Sequence, residues 1–407
     1  MREVADKIIR ESLQKVLPDA AVQKALEGRQ FPGKVILVAA GKAAWQMAKT
    51  AYEQLGDTIT EGIIITKYGH VKGTVGHLLC REAGHPVPDE NGFRATREAV
   101  GLVSDLKPED TVLFLISGGG SALFELPLIP EKELQDITNQ LLASGADIVE
   151  INTIRKRLSK VKGGRFAQLA APAQVLTVVL SDIIGDPLDM IASGPAYPDS
   201  STSEDALRVA DKYNLKLSDA AKALLSQETP KSLFNVETVV TGSVRLLCQA
   251  AKRSCEKLGY QTTILTDNLS CQARDAGLWL SQTAKENAGQ GRKLAFVAGG
   301  ETVVKLTGKG KGGRNQELAL SAASGIAGLS KVAIFSFGSD GTDGPTDAAG
   351  GYVDGKTANA LSELGVDISK VLADNDAYHA LEKVDGLILT GPTGTNVNDV
   401  AVVLIEG

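Results

Sequence analysis

Histidine and cysteine are scarce in this chain, four of each among 407 residues, and neither falls at a spacing that would bind a metal ion. The cysteines (Cys80, Cys248, Cys255 and Cys271) form no Cys-x-x-Cys pair, and Cys248 and Cys255 lie on one face of an expected helix. Buried, reduced thiols are the simpler reading and point to the cytoplasm. No apolar run approaches the roughly 18 residues of a membrane span. Met1 to Leu26 mixes acids and bases with apolar residues at helical spacing, which reads as an amphipathic helix rather than a secretory signal. There is no basic block and the net charge is −6, which argues against a nucleic-acid partner. Aromatic residues make up only 4%, a composition suited to helices packed closely on a sheet. Repeats of about 20–50 residues are missing, which excludes a solenoid.

What is abundant is glycine, and it is placed with purpose. A chain of this length exceeds the roughly 250–300 residues that one hydrophobic core supports, so two domains are expected. Short β-branched runs alternate with helical stretches: Val35 to Ala40, Gly62 to Thr66, Thr111 to Ile116 and Val175 to Leu180 in the first half. Thr238 to Thr241, Gln261 to Leu265, Lys293 to Val297, Val332 to Phe337 and Leu387 to Leu389 follow in the second. That alternation predicts an α/β fold whose ligand loops leave the carboxyl ends of parallel strands. The segment Glu301 to Leu306 reads as a hairpin partner of the strand before it, which makes the second sheet mixed. The polar stretch Ser226 to Asn235 is the expected linker, giving domains 1–235 and 236–407.

Two glycine-rich loops carry the chemistry. Ser117-Gly118-Gly119-Gly120-Ser121 follows an apolar strand, and Lys309-Gly310-Lys311-Gly312-Gly313-Arg314 opens a helix-like segment. Glycines let successive N–H groups converge on an anion, and a helix start adds open donors and a positive dipole end. Arg314 is the residue expected to touch a transferring phosphoryl group. Gly308, Gly310 and Gly313 also satisfy G-x-G-x-x-G, the dinucleotide fingerprint, but lysines and an arginine make the loop more cationic than a pyrophosphate cradle needs. Gly41-Lys42 leaves the strand Val35 to Ala40 at its carboxyl end, where a lysine is either a solvated helix-start residue or a partner for phosphate. It is no Walker A loop, because the leading glycine is missing and Ala43 offers no hydroxyl to Mg²⁺.

Carboxylates form two sets: Asp182, Asp186 and Asp189, then Asp340, Asp343 and Asp347. Asp182 and Asp340 each follow an apolar strand, which makes them the candidate Mg²⁺ ligands, with Asp182 also a candidate catalytic carboxylate. The others read first as satisfied turn or cap residues. His85, stiffened by Pro86 and Pro88, reads as a structural hydrogen-bonding residue, and no G-x-S-x-G elbow supports hydrolysis.

Several segments, taken in order from Lys42 to Asp399, resemble the type II glycerate kinases. They include Gly41 to Ala44, Thr66 to His70, Glu82 to Asp89, Ser117 to Leu123, Glu150 to Lys156, Ser181 to Pro195, Gly310 to Glu317 and Gly341 to Gly350. The resemblance implies an N-terminal Rossmann-like doubly wound domain and a C-terminal MOFRL-type domain, with the active site in the cleft between them. It implies ATP- and Mg²⁺-dependent phosphorylation of D-glycerate to 2-phosphoglycerate, and it puts the catalytic lysine and arginine on Lys42 and Arg314. Arg155 and Lys156 are then candidates for the glycerate carboxylate, and the protein is expected as a monomer or homodimer. The rival reading is a hydroxypyruvate reductase, which the glycine fingerprint favours and the lack of a hydride-transfer histidine beside those glycines opposes. A non-enzymatic binding module would need neither two cationic loops nor two carboxylate sets.

Overall fold

The computed structural model describes residues 1–407. Two compact units make up the chain: residues 21–181 with 186–241, and residues 1–20 and 182–185 with 242–407. This grouping differs from a division after residue 235 in three places. The N-terminal helix Arg2–Gln14 and the segment 182–185 go with the second unit, and the strand that begins at Val236 goes with the first. The expected single N-terminal helix is two, Arg2–Gln14 and Pro18–Leu26, because a proline is tolerated in the first turn of a helix and not in its interior. The stretch Ser226 to Asn235 is no free linker. Thr229 and Asn235 are buried, the Thr229 hydroxyl donates to Asp199 at 2.7 Å, and Asn235 Nδ2 donates to the carbonyls of Ala167 and Ala173.

The first unit is built on six strands: β1 (Val35–Ala40), β2 (Ile59–Lys67), β3 (Leu79–Ala83), β4 (Thr111–Ile116), β5 (Gln174–Leu180) and β6 (Val236–Gly242). Their order is β3-β2-β1-β4-β5-β6, and the pairs from β3 through β5 are parallel. β1 and β4 are buried at every position, as expected of central parallel strands with helices on both faces. The order reverses between β1 and β4, so the loops after these two strands diverge and leave a crevice. Gly41-Lys42 and Ser117 to Gly120 are those loops.

The second unit carries β7 (Gln261–Leu269), β8 (Leu294–Gly300), β9 (Val332–Gly338), β10 (Gly350–Asp354), β11 (Leu387–Ile388) and β12 (Asp399–Ile405), in the order β11-β10-β9-β12-β8-β7. The sheet is mixed, but not through the expected hairpin. Residues 301–306 form no strand beyond an isolated bridge at Val303. The antiparallel partner of β8 is β12, which also pairs antiparallel with β9. Its register sets Asp399 opposite both Gly300 and Gly338. The start of β12 therefore lies at the same edge as the ends of β8 and β9. No helix is long and apolar enough to cross a membrane.

Candidate active site

In the first unit the β1 and β4 loops are tied together. The Lys42 amide donates to the Gly118 carbonyl at 2.9 Å, and the Ala43 amide donates to Ser117 Oγ at 3.0 Å. Gly119 adopts φ +85°, and a Cβ there would lie 3.0 Å from His85 Cδ2, 3.1 Å from His85 Nε2 and 3.3 Å from Lys42 Cγ. A side chain would thus occupy the space that these two groups border, which explains the glycine. Around this point gather the exposed Lys42 and the half-buried Lys67, His70 and His85. His70 Nδ1 lies 3.1 Å from the Lys42 carbonyl, which can only accept, so that nitrogen carries the proton. Burial, then the charges of Lys42, Lys67 and His70, hold the His85 pKa below the ordinary 6.5. A crevice with this excess of cations over exposed glycine backbone is suited to an anion.

The Ser121 carbonyl behind this loop is clamped by two cations. Lys162 Nζ donates to it at 2.8 Å and Arg155 donates at 3.1 Å. Lys162 also donates to the Phe124 carbonyl at 3.2 Å and sits 3.5 Å from the buried Glu125. Burial brings its pKa down to about 8 despite Glu125. Ser121 Oγ bonds Ser193 Oγ, which donates to Asn152. Lys156 does not meet a ligand as expected: it is 2% exposed, its ammonium 3.0 Å from Asp199 and 3.3 Å from Asp189. Asp189 is accordingly one arm of an internal ion pair.

The second unit has a cleft of about 980 Å³ lined by Glu301, Lys309, Gly310, Gly312, Gly313, Arg314, Asp340 and Asp343, with Ile184 contributing beside Asp182. Arg314 is held by acids on every side. Nε lies 2.5 Å and a terminal nitrogen 3.2 Å from the two Asp399 oxygens, and the other terminal nitrogen lies 2.6 Å from Glu301. Burial works against its charge, but Asp399 and Glu301 outweigh that, and its pKa stands above the ordinary value. Burial likewise pushes Asp399 up to about 6 against the pull of Arg314. Asp340 is half-buried, with Oδ1 accepting the Thr342 amide at 3.0 Å.

Two expectations for the second loop need correction. The helix it opens, Arg314–Gly325, does not offer its second and third amides to a ligand, because the buried Asp343 carboxylate accepts from the amides of Asn315 at 3.1 Å and Gln316 at 2.9 Å. A Cβ on Gly313 would meet Asp343 Cγ at 2.2 Å, so only glycine admits this cap. The amides of Gly308, Lys309, Gly310 and Lys311 are likewise bound, by Asn375, Asp374 and Asp376. Those of Gly312, Gly313 and Arg314 find no acceptor in the chain. The loop therefore presents side chains and its last three amides rather than a continuous cradle. Lys311 Nζ lies 3.9 Å over the Tyr378 ring, Asp347 accepts from the Tyr378 hydroxyl, and Lys309 is exposed.

Asp399, Glu301 and His85 are the residues that sequence reasoning missed. The acids that stand out in the sequence lie at the ends of apolar runs. Asp399 begins one, and only an antiparallel strand delivers its first residue to the edge where parallel strands end. His85 makes no hydrogen bond that would justify a structural role.

A family model described as a domain of unknown function (DUF4147) matches residues 4–226, and the MOFRL family model matches residues 294–399. The D-glycerate 2-kinase of Thermotoga maritima is 52% identical, over all of this chain and 98% of its own. A crystal structure of glycerate kinase from the same organism superposes with a TM-score of 0.95, covering 99% of each chain. A protein of Agrobacterium vitis named putative hydroxypyruvate reductase is 38% identical over 92% of this chain and the full length of the relative. With near-complete coverage, both halves matched by family models and the same fold, the chain belongs to the type II glycerate kinase family, with a MOFRL domain in its second half.

Proposed function

We propose that the protein transfers the terminal phosphoryl group of ATP to D-glycerate, forming 2-phospho-D-glycerate. The observation that carries this reading is the crevice at the β1/β4 switch point. There Lys42 and the glycine backbone of Ser117 to Gly120 converge with no acid of their own between them. Phosphoryl transfer is catalysed mainly by positioning and by charge held ready for the equatorial oxygens, and both loops offer that. Lys42 and the amides around Gly119 serve in the first unit, and Arg314 with Gly312 and Gly313 serves in the second.

No three acidic or histidine side chains are grouped to hold a metal ion. That fits Mg²⁺, which takes one or two carboxylates and completes its shell with phosphate and water. Asp340, with Oδ1 on the Thr342 amide and its carboxylate on the cleft, suits such a ligand, and Asp182 is the second candidate. When bound, the ion would neutralise charge on the phosphates. Of the cations expected to meet the glycerate carboxylate, Lys156 is engaged by Asp189 and Asp199, and Arg155 by Ser121 and Glu125. Lys67 is the further cation in the Lys42 crevice.

The rival oxidoreductase reading loses its main support. A dinucleotide fingerprint requires loop amides and a helix start open to pyrophosphate. Here Asp374 to Asp376 take most of the loop amides and Asp343 takes the helix start. The argument from a missing histidine is weaker than expected, since His379 bonds Asp376 at this loop. Measuring ADP release from MgATP with D-glycerate tests the proposal.

A further inference from the structure

His85 lies in the crevice of the first unit without a structural task. Its Nε2 borders the same point above Gly119 that Lys42 borders, and no hydrogen bond within the chain reaches its ring. Three carboxylates of this unit are engaged elsewhere. Asp89 accepts the Gly92 amide at 2.9 Å and the Tyr68 hydroxyl at 2.6 Å, Glu82 accepts the Val71 amide, and Glu125 is buried behind the loop beside Lys162. These three carboxylates are engaged, whereas the His85 ring is not.

We propose that His85 is the general base that takes the proton of the acceptor hydroxyl. This rests on the phosphoryl-transfer reading above. The hydroxyl O–H bond breaks and its proton passes to the free ring nitrogen, while the oxygen forms a bond to the terminal phosphorus of a nucleoside triphosphate. The bridging P–O bond breaks, the nucleoside diphosphate leaves with the electron pair, and the imidazolium returns its proton to solvent.

The groups that face His85 favour an acceptor at neutral pH. Lys42 from the β1 loop, Lys67 from the end of β2 and His70 from the following turn are cationic or proton-bearing. The one acid on its own loop, Asp89, is turned to Tyr68 and Gly92. Because these neighbours and burial depress its pKa, the base form persists above the ordinary 6.5 and is lost only as the pH falls below it.

The test is ADP release with D-glycerate, followed against pH for the wild type, His85→Gln and His85→Ala, the last with and without added imidazole. General-base removal costs on the order of 10²–10⁴ in kcat. That loss, with KM for the triphosphate unchanged, is expected in both variants. The wild-type rate should fall on the acid side below pH 6.5, and imidazole should restore part of the His85→Ala rate. A His85→Gln enzyme that keeps the wild-type kcat and acid limb overturns the role. So does a His85→Ala loss that imidazole leaves untouched while KM rises. Wild-type protein that releases no ADP would instead overturn the phosphoryl-transfer reading itself.

Discussion

Arg314 and Asp399 form a two-point ion pair, with bonds of 2.5 and 3.2 Å, at the edge where β12 begins between β8 and β9. Asp399 is fixed by sheet register on both sides, so the pair aims the guanidinium as a rigid fork rather than a flexible charge. Lys42 in the first unit has no such partner and is held through its backbone alone. Loss of a preorganised charge contact costs about 10²–10³ in kcat. Lys42→Ala should show that loss with an unchanged unfolding midpoint, and Arg314→Ala should show it with a lowered midpoint, because the buried Asp399 carboxylate is left unpaired. Near-wild-type turnover in a folded variant would remove that residue from the mechanism.

Metal dependence separates Asp340 and Asp182. A hard cation that loses an anionic oxygen binds more weakly, so Asp340→Asn should need more Mg²⁺ for half-maximal rate. Asp182→Asn should do the same if both carboxylates are ligands. Unchanged Mg²⁺ titrations in both variants would locate the metal elsewhere.

Asp343 is a helix cap, not a ligand for metal or phosphate. Its carboxylate takes two backbone amides and the side-chain amides of Asn315 and Gln316 at 3.3 and 3.1 Å. Losing a cap costs roughly 0.5–2 kcal/mol, and each buried donor left unpaired costs about 1–3 kcal/mol. Asp343→Ala should therefore lose about 2–4 kcal/mol in urea unfolding at neutral pH, with the Mg²⁺ requirement unaltered. A stable variant with a shifted metal requirement would show the opposite role.

The sequence made the α/β class, most strands and the loops after β1 and β4 legible, because these rest on local signals: apolar runs ended by glycine or charge. What it hid depends on pairing between distant segments. The acids of Asp374 to Asp376 lie more than 60 residues from the amides they bind, and no periodicity announces such a match. Arg155 and Lys156 are both candidate cations for the substrate carboxylate in the sequence, yet Lys156 ends between Asp189 and Asp199. Asp182 and Asp340 stand out in the sequence because each follows a strand, and Asp343, which reads as a turn or cap residue, is the cap of the helix at Arg314. Charge alone did not distinguish a ligand-facing group from an internal counter-ion.

The most direct test of the central claim is a pair of assays on the purified protein: ADP release from MgATP with D-glycerate, and NAD(P)H oxidation with hydroxypyruvate. The account predicts ADP release and no NAD(P)H oxidation. It also predicts that enolase consumes the product without an added mutase, since enolase takes 2-phosphoglycerate directly. A requirement for the mutase would contradict only the position of transfer, whereas hydride transfer without ADP would contradict the kinase reading.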